Sequence, residues 1–582
     1  MAWLLVGCGL ISGIAGRPGA GTLDRLPLPT PERAAAYRAA VQKSILELQM
    51  FRQSGTVPVR DGAGQHGEAT LTNLNPDINA WFLLTLAWGG TDGSTYHLEN
   101  PAPDTRRVDL TPDGLLLSDG KGSERCGLWS GRPMALEEAQ RSGLPYAPLC
   151  DARLYLRNKV AGRRTELERV SEFLRDHVWR GEEMVGFVRE TLFRDVFAES
   201  GRPGRTVAVR DPEGGPPPAR VDPAQAGRSV VPEHLGINLV APASGDLALG
   251  HWYAVRDFPG IFLSIMQPGA IAHEVAASHP GRTHPLDEVE SRSLDDLVAF
   301  DLDRFELGFV LGTEHPRLDW SSRPPEFVRD EALPGPDGFA TAAPLVTTGM
   351  VGPWQVGRTV AAFTGGFKRE HGAFKYGDLA ATNHGSHYGF VEEGVVFSKL
   401  QPGLATLFVL RDGAVRMKTW TADDDRLLPV IRYARQNGVP LVEPDPATGE
   451  PAPGGLVASW GRGNWSGSSE GELRALRAGV CLLETAMTRF LVYGYFSTAT
   501  PSAMARVFQA YGCRYAIHLD MNALEHTYLA LYGRVGDQLE FQHLIPGMFE
   551  VDRSFDGEVV PRWIGFPDNR DFFFLTRRDD AR

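Results

Sequence analysis

The sequence predicts a mixed α/β protein (α+β in the broad sense) built from more than one domain, and three observations predict it. The chain has 582 residues, more than a single hydrophobic core usually supports. Strand-like apolar runs alternate with turns and a few well-signalled helices. Residues 201–231, reading GRPGRTVAVRDPEGGPPPARVDPAQAGRSVV, are rich in Pro and Gly and carry neither the helical nor the strand period, so they read as a linker. The expected organisation is an export segment or anchor over 1–25, a mixed α/β accessory domain over 26–200, the linker over 201–231, and a second domain over 232–582 in which helices flank a mixed sheet.

The elements follow in order. Met1 to Gly16 are small or apolar with no charged side chain before Arg17, which resembles an export segment without the basic start of a signal peptide and implies a true start further upstream. Leu5, Val6, Gly7 and Cys8 resemble a bacterial lipobox, making Cys8 a candidate for lipidation and membrane association; a plain apolar tail is the alternative. Thr30, Pro31 and Glu32 signal a helix start, with Val41, Ile45 and Leu48 on one face of a helix over about 31–53. The run from Asn79 to Trp88, the GGTDG turn and the strand-like Ser94 to Leu98 suggest a hairpin. The nearby Tyr96, His97, Glu99 and Asn100 read as polar decoration of a hairpin edge. Thr165 and Glu168 have capping-box spacing ahead of the stripe Leu167, Val170, Phe173, Leu174 and Val178.

Beyond residue 231, strands are expected at Ile261 to Met266, Leu297 to Phe300, Leu307 to Leu311, Val360 to Phe363 and Thr406 to Leu410, the last followed by the Asp412-Gly413 turn. Thr500 and Pro501 start a helix, Met504, Val507, Phe508 and Tyr511 give its apolar face, and Gly512 stops it. Arg514 to Leu519 then form a strand ending at Asp520, and in α/β sheets ligands bind beyond strand carboxyl ends.

Composition excludes some partners. The hydrophobic fraction of 42% and charged fraction of 23% are those of a folded globular chain. With a net charge of -13 and scattered Lys and Arg, no basic surface is expected for nucleic acid. Setting Cys8 aside, Cys126, Cys150, Cys481 and Cys513 are an even set divided two and two between the halves. A Cys126–Cys150 disulfide and buried free thiols are both open.

Four segments resemble the phosphodiester glycosidase family, typified by an enzyme that removes a capping N-acetylglucosamine from mannose 6-phosphate. Ala361 to Phe367 is similar to that family's strand and Asn-Gly-Gly-Phe turn, with Thr364 in place of Asn. Ala405 to Phe408, Asp412-Gly413 and Trp420 look like the next hairpin, and Arg435-Gln436-Asn437 with Pro440-Leu441-Val442 resembles a bacterial segment. Arg477 to Leu483 and Ala516 to Asp520 are similar to its last two strands, although Met521-Asn522-Ala523-Leu524 replaces the Gly-Gly-Gly-Ser of many members.

The resemblance implies hydrolysis of a glycosidic bond at a sugar phosphodiester or cell-envelope glycan, outside the cytoplasm and without a required cofactor. Asp520 is the first candidate carboxylate, Glu525 the second, Asp378 an outside candidate, and His518 a proton carrier. Thr364, Gly365, Gly366, Asn437, Arg477, Asn522, His384 and His387 are candidate substrate contacts, since paired glycines admit a ligand to the backbone and Arg suits a phosphate oxygen. Trp460 and Trp465 can stack on a sugar ring. Two other readings stand beside this one: a silent glycan-binding or scaffolding protein, and a metal-dependent phosphoesterase using a divalent ion on His384, His387, His518 and Asp520.

Overall fold

In a computed structural model, residues 44–130, 134–166, 168–169, 201–207, 210–242, 244–315, 339, 341–368, 388–458, 474–536, 538–555 and 557–578 are described. Most of the strands expected from short β-branched and aromatic runs are present. Ile261–Met266, Asp295–Asp301, Phe305–Val310, Thr359–Thr364 and Ala405–Leu410 all form. The hairpin of Trp81–Trp88 with Ser94–Glu99 forms as well.

The class expectation of a mixed α/β fold is corrected. The described residues form seven sheets, and the ladders between their strands are antiparallel. The longest helix described is Pro501–Ala510, with Thr500 Oγ1 accepting from Ala503 N–H at 3.2 Å and Gly512 in the left-handed region. Of the helix expected over 31–53, the described part is a short 3-10 turn, Ile45–Leu48, followed by the strand Gln53–Arg60. Local signals mark the individual strands, but sequence periodicity does not encode strand direction.

Three sheets matter for function. An eight-stranded sheet runs in the order 252–254, 261–266, 295–301, 489–499, 475–484, 515–521, 442–444, 451–453. A five-stranded sheet orders 305–310, 572–577, 359–364, 529–535, 538–543, and a second five-stranded sheet orders 395–398, 390–392, 431–436, 405–410, 415–419. The first two pack through aromatic side chains: Phe363 of the five-stranded sheet lies 6.4 Å from Phe300 and 5.3 Å from Tyr493 of the eight-stranded sheet, and 5.5 Å from Phe573 in its own sheet, between ring centroids. Such burial of large rings is the main favourable term holding stacked sheets together.

The described residues between 44 and 160 add a six-stranded and a three-stranded sheet around a smaller core of their own, from Val59 to Leu156. They are bound to the rest by specific polar contacts. The Gln49 side chain bonds both backbone groups of Val396, and Asn75 donates to Gly394 O at 3.1 Å. Tyr96, His97, Glu99 and Asn100 are buried, not the edge decoration expected, because the strand Ser94–Glu99 is interior and is paired on both sides. The Pro- and Gly-rich stretch read as a linker is also hydrogen-bonded into the body. Ala219 N–H donates to Gly250 O, Arg220 N–H to Ala510 O and Asp222 N–H to Ala270 O, while Arg202–Pro203 pairs with Ser229–Val231. Proline removes donors but leaves carbonyls and the neighbouring N–H groups free to bond, so an aperiodic segment can still be fixed.

Candidate functional site

The polar centre is assembled at the junction of the three sheets, and one amide ties its parts together. Asn437, following the strand Ile431–Gln436, accepts from Phe367 N–H at 3.3 Å and from Arg435 Nη1 at 3.0 Å. Its Nδ2 donates to the carbonyls of His518 and Leu519 (the latter at 2.7 Å). The Gly365-Gly366 turn, Asn437 and the strand Tyr515–Met521 are therefore brought together. The room left by the glycines is taken by protein atoms: a Cβ on Gly365 would lie 2.7 Å from Asp571 Oδ2, and one on Gly366 would lie 2.9 Å from Arg435 Cζ. Thr364 is buried at the end of its strand, and its N–H donates to Tyr528 O.

Asp520 is the next-to-last residue of Tyr515–Met521 and is 4% exposed. This strand belongs to an antiparallel sheet, so the rule about carboxyl ends of parallel strands does not place a ligand here. Asp520 Oδ1 accepts from Met521 N–H at 2.8 Å and Oδ2 from Arg570 Nη1 at 2.6 Å. From Arg570 the charges alternate outward. Arg570 Nη2 bonds Glu168 at 3.1 Å, Glu168 pairs with Lys368, Lys368 lies 3.2 Å from Glu314, and Glu314 pairs with Arg164 near the surface. Burial raises the Glu168 carboxyl, but Arg570 and Lys368 outweigh it and hold the group well below the usual carboxylate range.

The residues of this relay were not singled out as functional in the sequence, apart from the capping role of Glu168. That capping contact exists, since Glu168 N–H donates to Thr165 Oγ1, while most of the helical stripe beyond it lies outside the described residues. The run Asp568-Asn569-Arg570-Asp571 directly before the apolar strand Phe572–Arg577 was the available signal, because four polar residues abutting a buried strand must find buried partners.

Arg477 and His518 meet below this relay. Arg477 is fully buried, and it donates through Nε to Ala499 O at 2.6 Å and through Nη1 to Met521 Sδ at 3.2 Å, with His518 Nε2 also 3.2 Å away. Burial and the neighbouring guanidinium push the His518 pKa well below its ordinary value, so the ring is neutral near pH 7. Asn522 holds a φ of +81°, which Asn tolerates better than most side chains, and its buried Oδ1 has no hydrogen-bond partner among the described residues.

Glu525 faces a cleft of about 890 Å³ whose lining includes Arg163, Arg164, Thr165, Glu550 and Arg553. His526 Nε2 lies 3.1 Å from its carboxylate. Burial raises the Glu525 pKa, but His526, Thr165 and Arg570 overcome this and bring it down to about 2. Because Arg570 acts on both Asp520 and Glu525, the two candidate carboxylates share one cation. The arrangement offers a permanent negative charge next to a cationic wall, which can stabilise a developing positive centre while binding an anion.

No group of three or more His, Cys, Asp or Glu able to hold a metal occurs among the described residues. His384, His387, Asp378, Trp460, Trp465 and Cys8 lie outside the described residues. Both cysteine pairs are joined, Cys126–Cys150 with Cα atoms 5.6 Å apart and Cys481–Cys513 with 5.9 Å. Two disulfides are consistent with a chain exported to an oxidising compartment. No helix among the described residues is long and apolar enough to cross a membrane.

No family model and no curated protein matches the chain. Among solved structures, a protein of Burkholderia pseudomallei K96243 described as a putative exported protein aligns at 11% identity over 49% of this chain and 74% of its own, with a TM-score of 0.17. A hypothetical protein from Synechocystis aligns at 10% identity over 90% of this chain and 97% of its own, with a TM-score of 0.23. Both scores are too low to establish a common fold, and no function is transferred from either.

Proposed function

We propose that this protein is an exported hydrolase that cleaves the bond between the anomeric carbon and oxygen of a sugar phosphodiester, within the wider class of envelope glycans. One observation carries the reading: Glu525, held ionised by His526, Thr165 and Arg570, opens on a cleft whose other wall bears arginines. An ionised carboxylate cannot act as a general acid near pH 7. Cleavage toward phosphate does not require one, because the departing phosphate monoester has a conjugate acid with pKa of about 6 and leaves as a stable anion. The bond electrons go to the phosphate oxygen, water supplies the new bond to the sugar carbon, and its proton passes to a carboxylate. Glu525 supports the positive charge of the oxocarbenium-like state. Asp520 orients Arg570, and Asn437, the Gly365-Gly366 turn and the Arg477–His518 pair hold the strand that carries Asp520. Attachment to the envelope through a lipidated Cys8 belongs to the same proposal.

The test is an assay of wild type and Glu525→Gln on a panel of sugar 1-phosphodiesters and envelope glycans, with and without chelator. Wild type is expected to turn over a phosphodiester in chelator, with heavy oxygen from labelled water entering the sugar and not the phosphate. Glu525→Gln should lower kcat by about 10² or more while the melting temperature changes little. Full turnover by the variant, or none by wild type on any member, overturns the reading. Loss of turnover in chelator would favour the metal-dependent phosphoesterase instead.

A further inference from the structure

Two cations in the cleft beside Glu525 make no ion pair among the described residues. Arg164 is engaged by Glu314 and Arg169 by Glu166, but Arg163 and Arg553 line the cleft with no carboxylate at ion-pair distance among the described residues, Asp568 and Asp552 acting on Arg163 only from further away. Their guanidinium groups lie over one ring, that of Phe566, at 5.5 Å and 5.0 Å from its centroid. Arg163 is held from several sides. Its N–H donates to Pro567 O at 3.0 Å, its carbonyl accepts from Asn569 N–H at 3.2 Å, and its Nη1 donates to the carbonyls of Val551 and Asp552. Arg553 projects from the short strand Arg553–Phe555 and is exposed.

The two guanidinium groups share one ring and carry like charge, and the Arg163 pKa is lowered by burial and by Arg553, with Asp568 and Asp552 acting in the opposite direction. The aromatic ring offsets part of this through cation–π attraction, but it does not neutralise charge. Among the described residues lining the cleft, Glu166 pairs with Arg169 and Glu525 with His526, while Glu550 makes no ion pair and is exposed to solvent. An oxyanion seated between the two forks would relieve the repulsion and use guanidinium donors that face the cleft.

We infer that Arg163 and Arg553 form a subsite for a phosphate group, next to Glu525 and framed by Phe566. A tetrahedral phosphate offers more acceptor oxygens than a carboxylate and so engages two forks at once. That this phosphate belongs to a sugar phosphodiester rests on the hydrolase reading; the subsite itself does not. Arg163 comes from the region before the Pro- and Gly-rich stretch, so that region would contribute directly to ligand binding.

The experiment is calorimetric titration of the full chain with inorganic phosphate at low salt, using wild type, Arg553→Gln and Arg163→Gln. Wild type is expected to bind with a Kd of about 1 mM or tighter, and each variant to weaken binding about tenfold or more. Arg553 is exposed, so Arg553→Gln should keep the wild-type melting temperature and remains interpretable if Arg163→Gln fails to fold. Absence of binding by wild type, or unchanged binding by Arg553→Gln, overturns the subsite. Glucuronate binding as tightly as phosphate overturns the choice of phosphate over carboxylate. Arg553-dependent phosphate binding in a protein that turns over no phosphodiester supports the subsite and removes only the hydrolase reading.

Discussion

At the scale of single residues, Gly366 is where the packing of the polar centre is most exposed to test. Its φ of +134° suits glycine, and a Cβ there would press against Arg435 Cζ at 2.9 Å and Asn437 Oδ1 at 3.1 Å. Arg435 cannot easily yield, since Nε bonds Asp571 at 2.8 Å and Nη2 bonds Phe367 O at 2.6 Å. Gly366→Ala is expected to cost about 1–3 kcal/mol through combined strain and overpacking. The check is the urea midpoint of the variant against wild type; an unchanged midpoint would mean that the turn is looser than its contacts indicate. The pair Gly365-Gly366 was legible in the sequence as a special turn. That its free space is filled by Arg435 and Asp571, residues distant in sequence, was not legible, because side-chain volume from another strand leaves no local trace.

At the scale of elements, the Cys481–Cys513 disulfide fastens the strand Ala475–Glu484 to the residues that follow the helix Pro501–Ala510. The bridged cysteines are 32 residues apart, for which the chain-entropy estimate is about 3–4 kcal/mol. Replacing both by Ala should therefore lower the unfolding free energy by roughly that amount, measured by denaturant titration of the oxidised protein. A loss below about 1 kcal/mol would show that the buried contacts around the bridge, and not the link, hold these elements together. The helix itself was readable because Thr500, Pro501 and Gly512 are local signals. The strand after it was readable as a strand, but its neighbours were not. Val442 and Arg477 lie far from Ala516 and Met521 in sequence, and only the sheet register pairs them.

At the scale of the whole molecule, the described residues between 44 and 160 are joined to the rest by a buried group in which one cation serves two carboxylates. Arg157 bonds Glu99 at 2.5 Å and lies 3.4 Å from Glu392, stacked over Trp81 at 4.1 Å. Burial raises Glu392 to about 8 despite the lowering effects of Arg157 and the Leu311 N–H. A carboxyl whose folded pKa exceeds its unfolded value binds more protons in the native state. Its contribution is thus full below about pH 4.5 and is lost as pH rises through about 8. Glu392→Gln keeps an acceptor without the charge, so its stability should fall less than that of wild type between pH 6 and pH 9. Thermal unfolding of both proteins across that range tests this, and parallel curves would remove Glu392 as the titrating group.

The sequence by itself determined where runs of β-branched and aromatic residues become strands and where Pro501–Ala510 starts and stops. Those properties depend on neighbours within a few residues, and periodicity and capping chemistry record them. The tertiary structure alone decided that the sheets are antiparallel, that the Pro- and Gly-rich stretch is bonded into the body through residues such as Arg202, Ala219, Arg220 and Asp222, and that Asp520 gives one oxygen to Arg570 and the other to the Met521 N–H while Glu525 faces the cleft. It alone brought Arg163 beside Arg553 and Glu168 beside Arg570. Such pairings span hundreds of residues, and they are fixed by which partner can satisfy a buried charge once the sheets have packed.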